Sequence, residues 1–107
     1  MRAVHNKLVR DKIPKIIENA GKTPVTHILP DDEYLYEIYK KLDEEFAEYQ
    51  ADKSIEELAD MLEVMYAIAE ARGYSVSELE AVRREKAEKR GGFKDKIFLE
   101  YVEDGNE

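Results

Sequence analysis

Apolar side chains recur every three or four residues through the middle of the chain, a period typical of amphipathic helices. The first such stretch begins after Asp31 or Asp32, both favoured at helix N-termini, and runs to about Gln50. Its apolar positions are Leu35, Ile38, Leu42, Phe46 and Tyr49. A second stretch begins at Ser54 and ends before Gly73. The pattern predicts two long helices joined by a short turn, which together form an antiparallel hairpin.

Shorter helices are predicted on either side of this hairpin. One begins near Pro14, because proline is favoured at the first helical position, and ends at Gly21. The other begins near Ser75 and stops at Gly91. Ser75 and Glu78 have the spacing of a capping box, in which each side chain binds the other's backbone N–H.

The remaining segments are predicted to be extended. Residues 22–30 contain two prolines, which prevent a helix, and residues 97–102 (IFLEYV) form an apolar tail that we expect to dock on the helices or on a partner. The fold class is therefore all-α. We expect one helical bundle domain over residues 1–107, since a chain of this length suits a single domain.

The composition narrows the possible functions. Cysteine is absent, so disulfides, thiolate metal sites and cysteine nucleophiles are excluded. No apolar run has the length of a signal peptide core or a membrane helix, so we expect a soluble, cytoplasmic protein without a membrane partner. A chain this short buries a limited share of its surface, and association with a second copy would bury more.

The net charge of −8 is unevenly distributed. Residues 1–30 hold six basic and two acidic side chains, whereas residues 31–70 hold three basic and fourteen acidic ones. Nucleic-acid binding requires a basic face, so this acidic middle argues against it. A site in which carboxylates hold a cation and basic groups hold an anion fits the distribution better.

Four of the acids fall on the apolar faces of the two long helices. Glu45 lies within the apolar sector of the first helix and Glu48 at its edge, while Glu57 lies within that of the second and Asp60 beside it. Each pair is spaced i, i+3 and shares one helix face. Counted outward from the turn, the two pairs lie at matching levels, so we expect the four carboxylates to converge.

Convergent carboxylates repel one another and raise one another's pKa, and a bound divalent cation relieves this repulsion. Oxygen ligands without histidine or cysteine favour Mg²⁺, with Mn²⁺ as a possible substitute. Mg²⁺ commonly uses few carboxylates together with substrate phosphates, so a phosphate-bearing substrate is expected. Two simpler interpretations stay open: Glu57 caps its helix, and Glu45 and Glu48 are ordinary surface acids.

Basic residues near both ends of the chain are candidates for binding phosphate through charge-assisted hydrogen bonds. Those of the last helix also complement its dipole, and those of the N-terminal segment also suit a solvated chain, so both simpler interpretations stay open. The candidates are Lys7, Arg10, Lys12, Lys86, Lys89 and Arg90.

Several segments of the sequence resemble a known superfamily. Residues 44–48 (EEFAE) followed by 57–60 (ELAD) resemble the EExxE…ExxD signature of the all-α NTP pyrophosphatases, which include MazG, dimeric dUTPase and phosphoribosyl-ATP pyrophosphohydrolase. Residues 7–14 (KLVRDKIP) and 86–93 (KAEKRGGF) resemble a small MazG-like branch labelled phosphoribosyl-ATP pyrophosphohydrolase-like. The eight residues that separate the two acid pairs form a shorter spacing than the better-known members have.

The resemblance implies a MazG-like helical domain that hydrolyses a nucleoside triphosphate, or a related phosphoanhydride, to the monophosphate and pyrophosphate with Mg²⁺. It implies a homodimer or homotetramer and a role in clearing abnormal nucleotides. Catalysis would involve Glu44, as an accessory acid that positions water, and Glu45, which is also a metal ligand. By residue matching, the metal ligands would be Glu45, Glu48, Glu57 and Asp60, with Lys86 and Arg90 at phosphate-binding positions.

Two other functions remain open at this point. One is hydrolysis of phosphoribosyl-ATP in histidine biosynthesis, which requires the same reaction on a narrower substrate. The other is a non-catalytic helical interaction module, which would bind little Mg²⁺ and tolerate neutralisation of the inward-facing acids.

Overall fold

The computed structural model describes residues 1–105, which form four helices connected by irregular segments. The helices are α1 (Ile13–Asn19), α2 (Asp31–Asp52), α3 (Ile55–Ala71) and α4 (Val76–Arg90). No strand occurs among the described residues, which confirms the all-α prediction. The last two residues of the predicted domain, 106 and 107, lie outside this description.

The connection between α2 and α3 is only two residues long. Lys53 has a left-handed backbone (φ 58°), and its N–H donates to the Tyr49 carbonyl oxygen at 2.6 Å. Its ammonium donates to the Gln50 carbonyl oxygen at 2.7 Å. Ser54 then begins α3 by accepting a hydrogen bond from the Glu57 N–H at 3.3 Å. These caps satisfy backbone groups that both helix ends expose, so the chain reverses direction and forms the predicted hairpin.

The start of α2 differs slightly from the prediction. Pro30, rather than an aspartate, occupies the N-cap position and makes no side-chain hydrogen bond there. Asp31 and Asp32 instead lie within the first turn, where carboxylates interact favourably with the helix dipole. The acids near residue 31 therefore mark the correct helix end, although they stabilise it by charge rather than by capping.

Helix α4 packs against α3 near their connecting turn. The Tyr66 hydroxyl donates to Glu80 Oε2 at 3.1 Å, and Arg83 Nε donates to Glu80 Oε1 at 2.9 Å. Beyond this contact every residue from 81 to 90 is exposed, so α4 leaves the hairpin. Helix α1 packs against none of the other helices.

The Ser75→Ala variant is expected to lose about 1 kcal/mol of stability, the usual cost of removing a helix cap. Ser75 Oγ accepts from the Glu78 N–H at 3.0 Å, and Glu78 Oε1 accepts from the Ser75 N–H at 2.8 Å, so the predicted capping box is complete. Chemical denaturation measures the loss, with Ser77→Ala, an exposed change inside α4, as the matched control. Equal midpoints for the two variants would contradict the capping role.

Few apolar residues are buried by this arrangement. Within residues 1–105, the buried hydrophobic residues are Ile38 of α2 together with Val64 and Ala69 of α3. The Cα radius of gyration is 19.5 Å, whereas a compact domain of 100 residues has a radius of about 13 Å. The hairpin therefore has a core of its own, but a small one.

The C-terminal tail between residues 97 and 102 forms neither a helix nor a strand, and it does not dock on the helices of its own chain. Its apolar side chains between residues 97 and 102 are all exposed. Docking on a partner stays a prediction. None of the helices within residues 1–105 combines the length and apolar composition that a membrane crossing requires.

Candidate metal centre

Glu45 is the buried charged residue of the hairpin. Only 6% of its surface is exposed, and within the described residues no other polar side chain is buried to this degree. The position follows from the sequence, since Glu45 is seven residues, close to two helical turns, from the buried Ile38 and therefore faces α3. The prediction that this acid points inward is confirmed.

Glu57 and Asp60 come from the first two turns of α3 and face the same region. The backbone N–H of Glu57 is capped by Ser54, but its side chain does not return to the Ser54 backbone, so these two residues form only half of a capping box. The carboxylate of Glu57 is therefore not used as a cap. Asp60 lies three residues further on, on the same side of α3.

The three carboxylates from the two helices converge. One oxygen from each of Glu45, Glu57 and Asp60 lies within 4.8 Å of the others. Oxygen ligands on opposite sides of a Mg²⁺ ion are about 4.2 Å apart, because each bond is about 2.1 Å long. Small side-chain movements would bring the three oxygens onto one ion.

Two oxygens of this group have no hydrogen-bond partner. Glu45 Oε2 and Glu57 Oε2 are both shielded from solvent and unbonded. Buried polar atoms are nearly always hydrogen-bonded, and ionised carboxylates cannot donate to one another. A cation is the missing partner that would satisfy both oxygens, so the residues present fit a hard divalent metal ion.

The electrostatics of the site disfavour the ionised carboxylates in the absence of a cation. Burial, followed by the closeness of the Glu48 carboxylate and its negative charge, raises the pKa of Glu45. Loss of hydration, followed by the charges of Glu48 and Asp60, raises the pKa of Glu57. Both directions are those expected for acids gathered to bind a cation.

Glu48, the fourth predicted ligand, lies outside the group of three converging carboxylates. Three residues of helix turn its side chain about 60° away from that of Glu45, and it is exposed. Its charge is still close enough to raise the pKa of Glu45 and Glu57. Glu44, the predicted accessory acid, is half-buried beside Glu45. Metal ligation by Glu48 and catalysis by Glu44 stay predictions.

Arg10 reaches the centre from the N-terminal segment. Its Nη2 atom donates to Asp60 Oδ1 at 2.6 Å, and the two residues are 50 positions apart in the sequence. The segment that resembles the MazG-like branch therefore lies beside the acid cluster. In the structure this predicted phosphate-binding residue binds a predicted metal ligand.

Lys41 is a second cation at the centre, and it is not among the residues predicted from the sequence. Its Nζ atom lies 3.4 Å from Glu45 Oε1, and only 17% of its side chain is exposed. The signal was present in the sequence, because residues four apart on a helix share a face, but lysine and glutamate at this spacing are common on helix surfaces.

The other predicted phosphate-binding residues have no hydrogen bond or ion pair with the acid cluster in the described part of the chain. Lys89 pairs with Glu85 at 3.6 Å. The remaining four of these predicted residues are exposed and make no such contact with the cluster: Lys7, Lys12, Lys86 and Arg90. A role for these residues in phosphate binding stays a prediction.

A concave apolar surface lies apart from the acids. It is an open groove of about 490 Å³ whose walls are apolar, and none of the predicted site residues lines it. Its walls come from α2, α3, α4 and the turn between α3 and α4, including Leu42, Met65, Ile68 and Leu79. Arg72 also lines this groove, but almost all of the lining surface is apolar, so the acid cluster remains the candidate site.

Comparisons with known proteins identify a relative of this chain but do not indicate an activity. No family model matches the chain, and no solved structure matches it. Over 45 residues the chain is 53% identical to an uncharacterized protein of Mycolicibacterium smegmatis (strain ATCC 700084 / mc(2)155). The match covers 42% of this chain and 46% of that protein, so it spans about half of the relative's length. The name of the relative states no substrate, and functional inference therefore rests on the site.

Proposed function

We propose that the protein is a Mg²⁺-dependent nucleoside-triphosphate pyrophosphohydrolase of the MazG-like type. The observation that carries this proposal is the convergence of Glu45, Glu57 and Asp60, in which buried carboxylate oxygens lack any hydrogen-bond partner. An acidic cluster of this kind weakens the fold unless a cation fills it. The resemblance of residues 44–48 and 57–60 to the superfamily signature supplies the reaction class.

Each acidic residue of the site has a distinct role in this proposal. Glu45, Glu57 and Asp60 would hold the ion, with Glu48 as a further ligand that a rotation of its exposed side chain would bring in. When bound, Mg²⁺ would neutralise charge on the triphosphate and lower the pKa of a coordinated water. Glu44 would orient the attacking water and accept its proton.

The reaction is a hydrolysis in which water adds to the α-phosphorus and the bond from that atom to the α–β bridging oxygen breaks. Pyrophosphate leaves, and the nucleoside monophosphate remains. Cationic side chains stabilise the charge that develops on the leaving group, a role for which Lys86, Lys89 and Arg90 of α4 and Lys7 and Lys12 of the N-terminal segment are available. No nucleic acid is needed as a partner.

We also propose that the protein acts as a homodimer or a homotetramer in which α3 contributes to the interface. Leu58, Leu62 and Met65 share one face of α3, yet between 40% and 48% of each residue is exposed. This stripe leads into the apolar groove, of which Met65 is also a wall. A chain with so small a core of its own gains stability by burying this surface against a second copy.

The reaction is tested by measuring pyrophosphate release from a panel of ordinary and modified nucleoside triphosphates, with Mg²⁺ and with excess EDTA. We expect release with Mg²⁺, monophosphate as the co-product, and no release above background with EDTA. Release that continues undiminished in EDTA would contradict the metal-dependent reaction.

Phosphoribosyl-ATP belongs in the same panel because it discriminates between the two enzymatic functions. Turnover of phosphoribosyl-ATP alone would assign the protein to histidine biosynthesis instead of nucleotide clearance. Absence of turnover with every substrate would favour a non-catalytic helical module.

A further inference from the structure

Among the ion pairs in residues 1–105, the one between Lys41 and Glu45 differs from the rest. The side chains are 17% and 8% exposed, whereas the other helical i, i+3 and i, i+4 pairs each include at least one side chain that is more than half exposed. Removing an ion pair from water costs free energy, and lysine N-terminal to glutamate is the weaker order for such a pair on a helix. Helix stability alone therefore does not explain this pair.

The position of Lys41 determines which oxygens remain for a metal. Its ammonium takes Glu45 Oε1, and the Arg10 guanidinium takes Asp60 Oδ1. Glu45 Oε2 and Glu57 Oε2 stay unbonded. Glu45 and Asp60 therefore each have one oxygen bound to a protein cation, and the unpaired oxygens of Glu45 and Glu57 are available to an ion.

The net charge of the centre also favours one bound ion over two. Four carboxylates, including that of Glu48, face the two cations Lys41 and Arg10. Their net charge is about −2 at neutral pH, which one divalent ion neutralises. A second divalent ion would have to share the remaining oxygens of these four carboxylates, and it would bring a surplus of positive charge into a partly buried site.

We propose that Lys41 is a positioning residue that takes the place of a second metal ion, so that the centre binds one divalent cation per chain. This inference rests on the metal centre of the proposed function and adds its stoichiometry. Lys41 holds Glu45 Oε1 and turns Oε2 towards the ion, while Arg10 does the same for Asp60 from the other side.

The test is the number of Mn²⁺ ions bound per full-length chain at saturation, counted from the electron paramagnetic resonance signal of the free ion. Wild-type protein is expected to bind one Mn²⁺. Lys41→Met keeps the length of the side chain and removes its charge, so Glu45 Oε1 becomes free and a second Mn²⁺ is expected to bind. Lys41→Arg restores the cation and is expected to return the count to one.

The neighbouring Lys40 supplies the matched control. It lies on the same helix, half of its side chain is exposed, and it pairs with Glu37 at 3.7 Å away from the centre. Lys40→Met is therefore expected to bind one Mn²⁺, which separates the effect of site charge from that of overall charge. Folding of every variant is checked by circular dichroism, and a Lys41→Met chain that does not fold leaves the decision to the wild-type count.

Two Mn²⁺ ions bound to wild-type protein, or one bound to folded Lys41→Met, would overturn the inference. No Mn²⁺ bound to wild-type protein would overturn it together with the metal centre. The reaction is judged separately by pyrophosphate release. A chain that binds one Mn²⁺ and hydrolyses no triphosphate would refute the proposed function alone, whereas EDTA-sensitive hydrolysis with two bound ions would refute only the single-ion inference.

Discussion

Replacing Glu57 by glutamine is expected to reduce pyrophosphate release by more than about 100-fold, while the protein stays folded. Even residues that only support a metal ligand commonly contribute 10- to 100-fold to metal affinity or activity. Glu57 brings a buried oxygen without a hydrogen-bond partner into the group with Glu45 and Asp60. Glutamine keeps the size of the side chain but removes the negative charge that the ion requires.

The same variant is expected to be more stable than wild-type protein in EDTA at neutral pH. Loss of hydration and four neighbouring acids raise the pKa of Glu57 above its ordinary value of 4.5. A raised pKa means that this carboxyl favours the folded state when protonated, and that the advantage is lost as the pH rises through the folded-state pKa. Glutamine stays neutral at every pH and avoids this loss.

Thermal unfolding with EDTA and with Mg²⁺ measures both effects. Mg²⁺ is expected to raise the melting temperature of wild-type protein, because a ligand that binds only the folded state stabilises it, and to leave that of Glu57→Gln almost unchanged. Glu56→Gln is the matched control, since Glu56 is the exposed neighbour in the same helical turn. Wild-type activity in Glu57→Gln would remove this residue from the ligand set.

The helices were predictable because their ends are marked by local chemistry. Ser54 and Ser75 cap α3 and α4 as the sequence indicated, and Gly21 and Gly73 adopt positive φ angles just beyond the helices that they terminate. The sequence did not predict how far α4 diverges from the hairpin. The contact between Tyr66 and Glu80 holds α4 against α3 only near their connecting turn, and neither residue belongs to a recognisable pattern.

The parts of the site that follow from helical periodicity were predictable from the sequence. Contacts between segments that are distant in the sequence were not. Periodicity placed Glu45 in the apolar sector of α2, and its burial confirms this. The pair between Arg10 and Asp60 spans 50 residues, so no local spacing indicates it. Lys41 was overlooked because a charge at i, i+4 becomes informative only when both partners are known to be withdrawn from solvent.

The Leu62→Glu variant is expected to dissociate the proposed oligomer and lower its melting temperature. Leu62 is the middle residue of the exposed apolar stripe on α3, between Leu58 and Met65. A carboxylate at this position would have to be desolvated without a partner when two copies associate, which costs several kcal/mol. Analytical ultracentrifugation measures the mass, and circular dichroism measures the loss of helix on heating.

The wild-type melting temperature should also rise with protein concentration, because association stabilises only the folded chain. Val25→Glu is the matched control: it introduces the same charge at an exposed apolar residue outside the helices, and we expect no change in mass. A wild-type protein that is monomeric, with a melting temperature independent of concentration, would contradict the proposed interface. Ile38, Val64 and Ala69 would then have to stabilise the hairpin alone. So small a core would leave little free energy to offset the repulsion among the clustered acids, so a stable monomer would require the bound ion in place of a second copy.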